Sequence, residues 1–254
     1  MKKIQDCSVN QVKMLNDDTY ILELKLPLIP EKIKPGNFAE VRIDNTSDVF
    51  LRRPFSIYDV DFDKKTIRFF IKNIGKGTDL LSKLNIGDNL NMIYPLGNSF
   101  SENKDGKVLL IGGGSGVAPL LLLGKMLKES GSEVVYLLGA RSSKDIHLVN
   151  EFEQNGEVFI TTEDGSLGEK GMITHHSVWD GISEFKKIYT CGPNPMMKAI
   201  AKIAQANNIE CEASLENTMA CGFGACLCCV TETTQGNKCV CTEGPVFNVN
   251  DLKW

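Results

Sequence analysis

The sequence lacks an apolar run long enough to span a bilayer, and it carries no excess of positive charge. Its longest apolar stretch, residues 117–123, is interrupted by Pro119 and followed by Gly124 and Lys125, whereas a membrane helix needs about 20 apolar residues. The chain has 28 lysines and arginines against 32 acidic residues, a formal net charge of −4. That balance argues against a nucleic-acid surface. We therefore expect no membrane partner and no nucleic-acid partner.

Histidine is scarce, and a secretion signal is missing. His147, His175 and His176 show no metal-ligand spacing, and we interpret them as surface or loop residues. No signal peptide is recognisable at the Met-Lys-Lys-Ile start, although the chain contains nine cysteines. Cysteines in this number without an export signal indicate a reducing compartment and metal chemistry rather than disulfides. The expected localisation is cytoplasmic.

Four cysteines near the carboxyl end have the plant-type spacing of a [2Fe–2S] cluster, which is held by four thiolates. The pattern is Cys-x4-Cys-x2-Cys, with a fourth cysteine after eleven further residues; its members are Cys221, Cys226, Cys229 and Cys241. Gly222 and Gly224 lie within the first loop, where glycine lets the backbone approach inorganic sulfide closely. The spacing favours a cluster whose function is to transfer single electrons.

Zinc is the main alternative for these cysteines. Cys226 and Cys229 form a Cys-x2-Cys pair, and Cys239 and Cys241 could supply the other two ligands of a four-cysteine zinc site. A zinc ribbon normally uses two Cys-x2-Cys knuckles and has no need of a loop with two glycines. Disulfides are disfavoured, because three cysteines within four positions pair poorly. Cys228 and Cys239 adjoin the proposed ligands and leave ligand identity open there.

The first part of the chain, residues 1–101, reads as an antiparallel β-barrel. Residues 19–25, 38–43 and 66–71 are short, β-rich and alternating, with turn residues between them. Two places in this domain have the composition of a flavin site. The first is the extended run Arg53-Pro54-Phe55-Ser56, with a cation for a pyrophosphate, packing for a ring and a hydroxyl group. The second is the loop before a short helix, where Gly77 and Thr78 offer backbone amides to a phosphate.

The middle part, residues 102–210, reads as a nucleotide-binding α/β domain with a parallel sheet. The apolar run 107–111 fits a buried strand and leads into a glycine-rich turn and an apolar helix. Gly112, Gly114 and Gly116 are the candidate phosphate-contacting glycines, although Val117 stands where the Gly-x-Gly-x-x-Gly pattern ends. A later strand ends in Cys191 and Gly192, the end at which such sheets bind ligands. Taken by itself, Cys191 is expected to be a small buried residue; its place at the strand end also makes it a candidate to border a nicotinamide.

The order of these motifs resembles the ferredoxin reductase superfamily of flavin and pyridine-nucleotide enzymes. The tail narrows the resemblance, because residues 214–226 (SLENTMACGFGAC) and 240–247 (VCTEGPVF) are similar to the electron-transfer subunits of NAD-dependent (class B) dihydroorotate dehydrogenases. The resemblance covers nearly the whole chain. It implies a multidomain β plus α/β protein with an FAD-binding barrel, an NAD-binding domain and a [2Fe–2S] subdomain over residues 211–254.

The resemblance also implies a set of binding residues. It places FAD contacts at Arg53, Pro54, Phe55, Ser56, Phe70, Ile71, Lys72, Gly77 and Thr78. It assigns the cluster to Cys221, Cys226, Cys229 and Cys241, and prefers Cys241 to Cys239 because of the matching Cys-Thr-Glu-Gly-Pro context. Two positions depart from the family pattern: Cys228, where a small non-ligand residue is expected, and Asn37, where related reductases more often have glutamine.

The implied activity belongs to a heteromeric enzyme of pyrimidine biosynthesis. An FMN-containing TIM-barrel subunit oxidises dihydroorotate, and its electrons pass through the cluster and FAD of this chain to NAD+. The expected assembly is a heterotetramer with two copies of each subunit. The chain has no room for a second TIM barrel, and we expect no catalytic side chain in it.

Three alternatives stay open from the sequence. The first is an NAD(P)H:acceptor reductase of the same superfamily that acts alone or in another complex. The second is a zinc-stabilised nucleotide-binding regulator. The third is a flavin reductase with a zinc-binding tail. Arg141, Ser142 and Ser143 follow the second nucleotide strand and leave the choice between NAD and NADP open, although the family implies NAD.

Overall fold

A computed structural model describes residues 2–30, 32–44 and 46–254. The first hundred residues form seven strands and one helix: β1 (Lys3–Met14), β2 (Thr19–Lys25), β3 (Phe38–Val41), β4 (Arg53–Ser56), β5 (Asp59–Asp61), β6 (Thr66–Lys72), α1 (Lys76–Ser82) and β7 (Asn89–Leu96). The strands pair in the order β4-β3-β7-β1-β2-β6-β5, and every pair is antiparallel. Between its edge strands β4 and β5 the barrel is open, and the expected antiparallel architecture is confirmed.

Alternation along β2 explains how the barrel gains its core. Tyr20, Leu22 and Leu24 point into the barrel and are fully buried with the interior side chains of the other strands. Ile21 points to the opposite face, where it packs with Phe70 of β6 against the α/β domain. The barrel sheet is therefore apolar on both faces near its open edge, which fixes that edge against the next domain.

The remainder of the chain contains nine strands and four helices: β8 (Lys107–Gly113), α2 (Leu120–Glu129), β9 (Glu133–Ala140), α3 (Val149–Glu153), β10 (Glu157–Thr162), β11 (Glu169–Lys170), β12 (Phe185–Cys191), α4 (Asn194–Ala206), β13 (Glu210–Ser214), β14 (Val230–Thr233), β15 (Gly236–Cys239), α5 (Val240–Glu243) and β16 (Val246–Asn248). Helix α4 is the longest at 13 residues. Within the described ranges, no helix has both the length and the apolar character needed to cross a membrane.

The central sheet has the order β11-β10-β9-β8-β12-β13-β16. All neighbours are parallel except β13 and β16. The order reverses between β8 and β12, because the chain first adds strands on one side of β8 and then returns to the other. Ligands of open α/β sheets bind at the carboxyl ends of the strands at such a reversal.

The cysteine-rich tail is tied into the central sheet. Strand β13 begins at Glu210, the last residue of the predicted second domain, and β16 pairs with it in an antiparallel register that joins Ala213 to Phe247. Between these strands lie an irregular loop, residues 215–229, and the hairpin formed by β14 and β15. The predicted boundaries after residues 101 and 210 stay predictions.

Buried polar bridges hold the barrel against the α/β domain. Arg68 of β6 donates to Glu151 of α3, with Nη1···Oε1 at 2.9 Å, and to Asp59 of β5, with Nη2···Oδ2 at 2.6 Å. Lys125 of α2 completes the group by donating to Asp59 Oδ1 at 2.6 Å. These charges neutralise one another at the domain boundary.

One of the three histidines, His176, is buried. His176 is only 5% exposed, and its Nδ1 accepts a hydrogen bond from the backbone N–H of Val178 at 2.9 Å. It packs on the ring of Phe159. His176 lies in a loop, one of the two expected positions, but it is buried there and its imidazole caps the 3-10 turn over Ser177–Glu184.

Candidate functional site

The glycine-rich turn after β8 meets the turn after β12 at the reversal of the central sheet. A Cβ atom added to Gly116 would lie 2.3 Å from the carbonyl oxygen of Cys191 and 2.5 Å from Cα of Gly192. The two turns therefore touch backbone to backbone, which only glycine permits. Gly112 is packed equally tightly, against Val117. Among the three predicted phosphate-contacting glycines, Gly114 alone has open space around its Cα and a left-handed φ of +56°.

A crevice of about 910 Å³, open to solvent, lies between this turn and the barrel. Seven of the nine predicted FAD contacts line it: Pro54, Phe55, Ser56, Phe70, Ile71, Lys72 and Thr78. Ser115 and Ala118 of the glycine turn face the same space from the α/β domain. The barrel and nucleotide-domain motifs, distant in sequence, thus border one cavity.

The other two predicted FAD contacts lie beside each other at its edge. A Cβ added to Gly77 would be 3.1 Å from Nε of Arg53, so the arginine side chain packs against the start of α1. The guanidinium group donates from Nη1 to the backbone oxygen of Leu51 at 2.6 Å. The hydroxyl of Thr78 accepts from the backbone N–H of Gly75 at 3.1 Å and orders the same turn. Arg53, Gly77 and Thr78 therefore form one small structural unit.

Lys72 stands where the barrel and the α/β domain meet. Its Nζ is 3.4 Å from Asp18 of the β1–β2 turn and 3.3 Å from Asp145 of the loop after β9. The ammonium group thus links the two domains at the rim of the crevice. It is positioned by two carboxylates rather than free in solvent.

A polar pair closes the crevice where the two turns meet. The fully buried thiol of Cys191 donates from Sγ to Oε1 of Glu216 over 3.8 Å. Burial, and then the charge of Glu216, raises the pKa of the Cys191 thiol well above its usual range, so the sulfur keeps its proton. Glu216 faces the crevice, where the surrounding protein desolvates its carboxyl group and raises its pKa. The pair presents one carboxyl group, that of Glu216, to the crevice.

The loop that carries the cysteines directs backbone N–H groups at their sulfur atoms. Burial would raise the pKa of the Cys221 thiol, but N–H donors from Phe223, Cys226 and Ala225 lower it to about 6. Three residues in this loop, Gly222, Gly224 and Leu227, adopt positive φ values of 73°, 88° and 59°. A loop that turns its amides inward stabilises thiolates, which are the ligands of iron.

The sulfur atoms meet in two pairs. The thiols of Cys221 and Cys226 influence each other's ionisation, as do those of Cys229 and Cys241, so the members of each pair lie close together. The backbone N–H of Cys241 also donates to Sγ of Cys229 at 3.4 Å. Two pairs suit a binuclear cluster with two thiolates on each iron, whereas tetrahedral zinc needs four ligands around one point. In the part of the chain that the structure describes, no three Cys, His, Asp or Glu side chains converge closely enough to hold a metal ion.

The two extra cysteines differ in position. Cys228 is exposed, and it approaches the cluster residues through its backbone N–H, which donates to Sγ of Cys226 at 3.5 Å. Cys239 is half-buried at the end of β15, and burial followed by the nearby Cys229 raises the pKa of its thiol. Cys226, a proposed ligand, is exposed as well, so exposure alone does not distinguish Cys228 from the ligands, and Cys239 lies close to the group of thiols.

Glu40, a buried acidic residue next to the cysteine loop, belongs to no sequence motif and was not predicted as a site residue. Glu40 of β3 is 0% exposed, and a Cβ added to Gly222 would lie 2.5 Å from its Cγ. Neither carboxyl oxygen has a hydrogen-bond partner among the described residues. Burial raises the pKa of Glu40 to about 7. Glu216 was missed in the same way, because neither acid belongs to a motif and each acquires its contact only in the fold.

Three family models match the chain in succession. Residues 6–100 match an oxidoreductase FAD-binding domain, residues 110–202 an oxidoreductase NAD-binding domain, and residues 216–253 the iron–sulfur cluster binding domain of dihydroorotate dehydrogenase B. These matches confirm the expected cofactors, FAD, NAD and an iron–sulfur cluster. They also favour iron over zinc in the tail.

Curated relatives match along nearly their whole length. The electron transfer subunit of dihydroorotate dehydrogenase B (NAD(+)) from Shouchella clausii is 39% identical, with 92% of each chain covered. The corresponding subunit from Desulforamulus reducens is 38% identical, with 100% of each chain covered. Identity at this level over complete chains is evidence of shared family, not only of shared fold.

Solved structures agree on the architecture. The NADH-dependent reduced ferredoxin-NADP oxidoreductase, studied for flavin-based electron bifurcation, superposes with a TM-score of 0.88 at 28% identity, covering 98% of this chain and 90% of that one. The ferredoxin reductase of carbazole 1,9a-dioxygenase superposes with a TM-score of 0.71 at 21% identity, covering 82% and 67%. The second likeness shows the ferredoxin-reductase fold alone.

Proposed function

The chain belongs to the family of electron transfer subunits of NAD(+)-dependent dihydroorotate dehydrogenase B, and from this premise we propose how its residues carry electrons to NAD+. It is the NAD-linked oxidoreductase subunit of an enzyme of pyrimidine biosynthesis, and it works with a catalytic partner subunit. The proposal adds that the partner carries FMN, that the complex contains two copies of each subunit, and that the residues named below hold the cofactors.

The observation behind the proposal is that residues of β4 and β6 and the glycine-rich turn after β8 line a single crevice. The loop that carries the cysteines is continuous in sequence with residues that line the same crevice. Leu215, Glu216 and Met219 line the crevice, and Cys221 lies two residues beyond Met219. A flavin in the crevice and a cluster in the loop would then be neighbours, as electron transfer between them requires. The continuity of wall and loop supports a direct route.

Different residues of the barrel would hold different parts of FAD. Arg53 supplies a cation for the pyrophosphate, and the adjoining Gly77 lets a phosphate approach the backbone closely. Phe55 and Phe70 provide apolar surface for the ring system, and Ser56 a hydroxyl group for its polar edge. FAD, when bound, supplies the conversion between single-electron transfer and two-electron transfer as hydride.

The α/β domain would hold NAD at the reversal of its sheet. Gly114 has free space on its surface, so a pyrophosphate can approach its backbone, whereas Gly112 and Gly116 act by letting the two turns pack. Cys191 and Gly192 would border the nicotinamide. The Cys191 thiol, held in its neutral form, donates to Glu216 and so fixes the acid at the wall of the crevice. The chain thereby orients the ring and moves no proton of its own.

The cysteine loop would hold the [2Fe–2S] cluster through Cys221, Cys226, Cys229 and Cys241. Its surface offers a contact for the catalytic partner, because two large apolar side chains beside the ligands project outward: Phe223 is 54% and Leu227 62% exposed. Exposed apolar side chains next to a redox centre suit a protein partner that must bring its own cofactor close.

Co-expression with the FMN-bearing subunit tests the proposal. We expect the purified complex to reduce NAD+ when dihydroorotate is added, and light scattering to give the mass of two copies of each subunit. Each chain of this protein should contain about two irons, about two acid-labile sulfides and one FAD. A complex that is fully loaded with cofactors but inactive with dihydroorotate would contradict the assignment and favour another acceptor reductase.

A further inference from the structure

Glu40 lies between strand β4, which carries four of the proposed FAD contacts, and the loop that carries the cysteines. It is a residue of β3, where it pairs with Pro54 of β4. The side chain extends to the loop, so that a Cβ added to Gly222 would lie 2.5 Å from Glu40 Cγ and 3.0 Å from Oε1. Gly222 follows Cys221 directly. One fully buried carboxyl group is thus packed against the backbone of a cluster-binding turn.

The carboxyl group has no partner in its own surroundings. Neither oxygen forms a hydrogen bond within the described part of the chain, although buried polar groups are nearly always partnered. The nearby Arg52 does not meet this need, because its Nη1 donates to the backbone oxygen of Glu40 at 3.3 Å and its Nη2 to Asn91. A group bound by the loop can supply the missing partner.

The charge of the surroundings determines the form of the acid. An unpaired carboxylate away from water costs several kcal/mol. The net negative charge that a [2Fe–2S] cluster and its four thiolates would carry, irons included, would add further repulsion. A neutral carboxyl group avoids both costs and gains an O–H donor. Sulfur atoms of a cluster are acceptors for such donors, and hydrogen bonds to them tune the reduction potential.

We propose that Glu40 is a positioning residue for the cluster, whose neutral carboxyl group donates a hydrogen bond to a sulfur atom of the loaded Cys221–Gly222 turn. The inference rests on the proposed function, because it needs the cluster in this loop. A donor stabilises the reduced, more negative cluster more than the oxidised one. Glu40 therefore keeps the cluster easier to reduce than its thiolates alone would.

A redox titration followed by electron paramagnetic resonance tests the proposal on the purified protein with its cofactors. Glu40→Gln keeps a donor of the same size, and we expect its potential to match the wild type. Glu40→Leu removes the donor, and we expect the equilibrium to favour the oxidised cluster by about tenfold, a negative shift of ~59 mV for one electron. Glu23→Gln on β2 is the control, because it removes a carboxyl group from the same barrel at a distance from the loop.

The outcomes are distinct. A wild-type potential in Glu40→Leu, with two irons present, overturns the proposal. A positive shift in Glu40→Gln that Glu23→Gln lacks also overturns it, because it would identify Glu40 as an anion. If both Glu40→Leu and Glu40→Ala lose iron while Glu40→Gln keeps it, the need for a donor is supported. Loss of iron from Glu40→Gln contradicts it. A wild-type protein without iron contradicts the proposed function itself.

Discussion

The thiol of Cys191 and the carboxyl group of Glu216 form a hydrogen bond over 3.8 Å at the wall of the crevice. Cys191 ends β12 at the reversal of the central sheet, and Glu216 begins the loop that leads to the cluster cysteines. Their contact joins the nucleotide site to the cluster loop. It makes Cys191 a positioning residue rather than a nucleophile, because its thiol keeps its proton.

Replacing Cys191 by alanine tests this relationship. We expect Cys191→Ala to keep its FAD and iron but to lose about tenfold in the rate of NADH oxidation with an artificial acceptor, because a small misplacement of reacting groups slows transfer strongly. Stopped-flow measurement of flavin reduction by NADH provides the rate. Cys211→Ala is the matched control, since Cys211 is equally buried in the neighbouring strand β13. An unchanged rate in Cys191→Ala would separate Cys191 from the site.

The two adjacent cysteines of the loop should behave in opposite ways. Cys229 is 2% exposed, and its Sγ accepts from the N–H of Cys241, whereas Cys228 is exposed. We expect Cys229→Ser to lose the cluster and Cys228→Ser to retain about two irons per chain. Iron analysis and visible absorption measure both. Equal iron loss in the two variants would mean that Cys228 participates in binding.

The bridge between barrel and α/β domain should contribute measurably to stability. Arg68→Met leaves Asp59 and Glu151 without their cation, and we expect a cost of about 2 kcal/mol, or a fall of roughly 4–8 °C in melting temperature for a chain of this size. Thermal scans of Arg68→Met, Glu151→Gln and the double variant should show non-additive effects. Lys64→Met is the control, because its ion pair with Asp61 is exposed and worth little. Additive losses would mean that Arg68 and Glu151 are not coupled.

The stability of the α/β domain should fall in mild acid because of His176. Burial lowers the pKa of His176 below its usual 6.5, and the opposing effect of Glu169 is smaller. The neutral imidazole is the folded form, so its contribution to stability is present above pH 6.5 and is lost as the pH falls through the folded pKa. His176→Asn keeps a capping acceptor without the titration.

Melting temperatures between about pH 7.5 and about pH 5.5 provide the measurement. We expect His176→Asn to lose less stability on acidification than the wild type. His175→Asn, at the exposed neighbouring position, should retain the full pH dependence. If His175→Asn flattens the curve equally, the effect does not originate from burial of His176.

The fold was largely predictable because its signals are local. Strand β2 begins and ends at the predicted residues, and the glycine turn after β8 leads into an apolar helix as expected. Alternation and turn residues determine such elements over a few positions. Attachment of β16 to the central sheet was not predictable, because three residues without periodicity carry it and β13 supplies the pairing.

The site was predictable only where motifs carry it. Seven predicted FAD contacts border the crevice, since their segments carry recognisable composition. Gly116 was expected to contact a phosphate, but its Cα faces the turn at Cys191, and the sequence does not distinguish packing from binding. Glu40 and Glu216 are ordinary acids in the sequence. The burial of Glu40 and the contact of Glu216 with Cys191 arise from segments that meet only in the folded chain.

The central claim is that electrons reach NAD+ through the cluster and the flavin of this chain. The most direct test compares two activities of the complex that contains Cys226→Ser, which removes one proposed ligand but leaves the crevice intact. We expect NADH oxidation with an artificial acceptor to persist, because it needs only FAD, and NAD+ reduction by dihydroorotate to be lost. Dihydroorotate-dependent NAD+ reduction at the wild-type rate in a complex without the cluster would contradict the account.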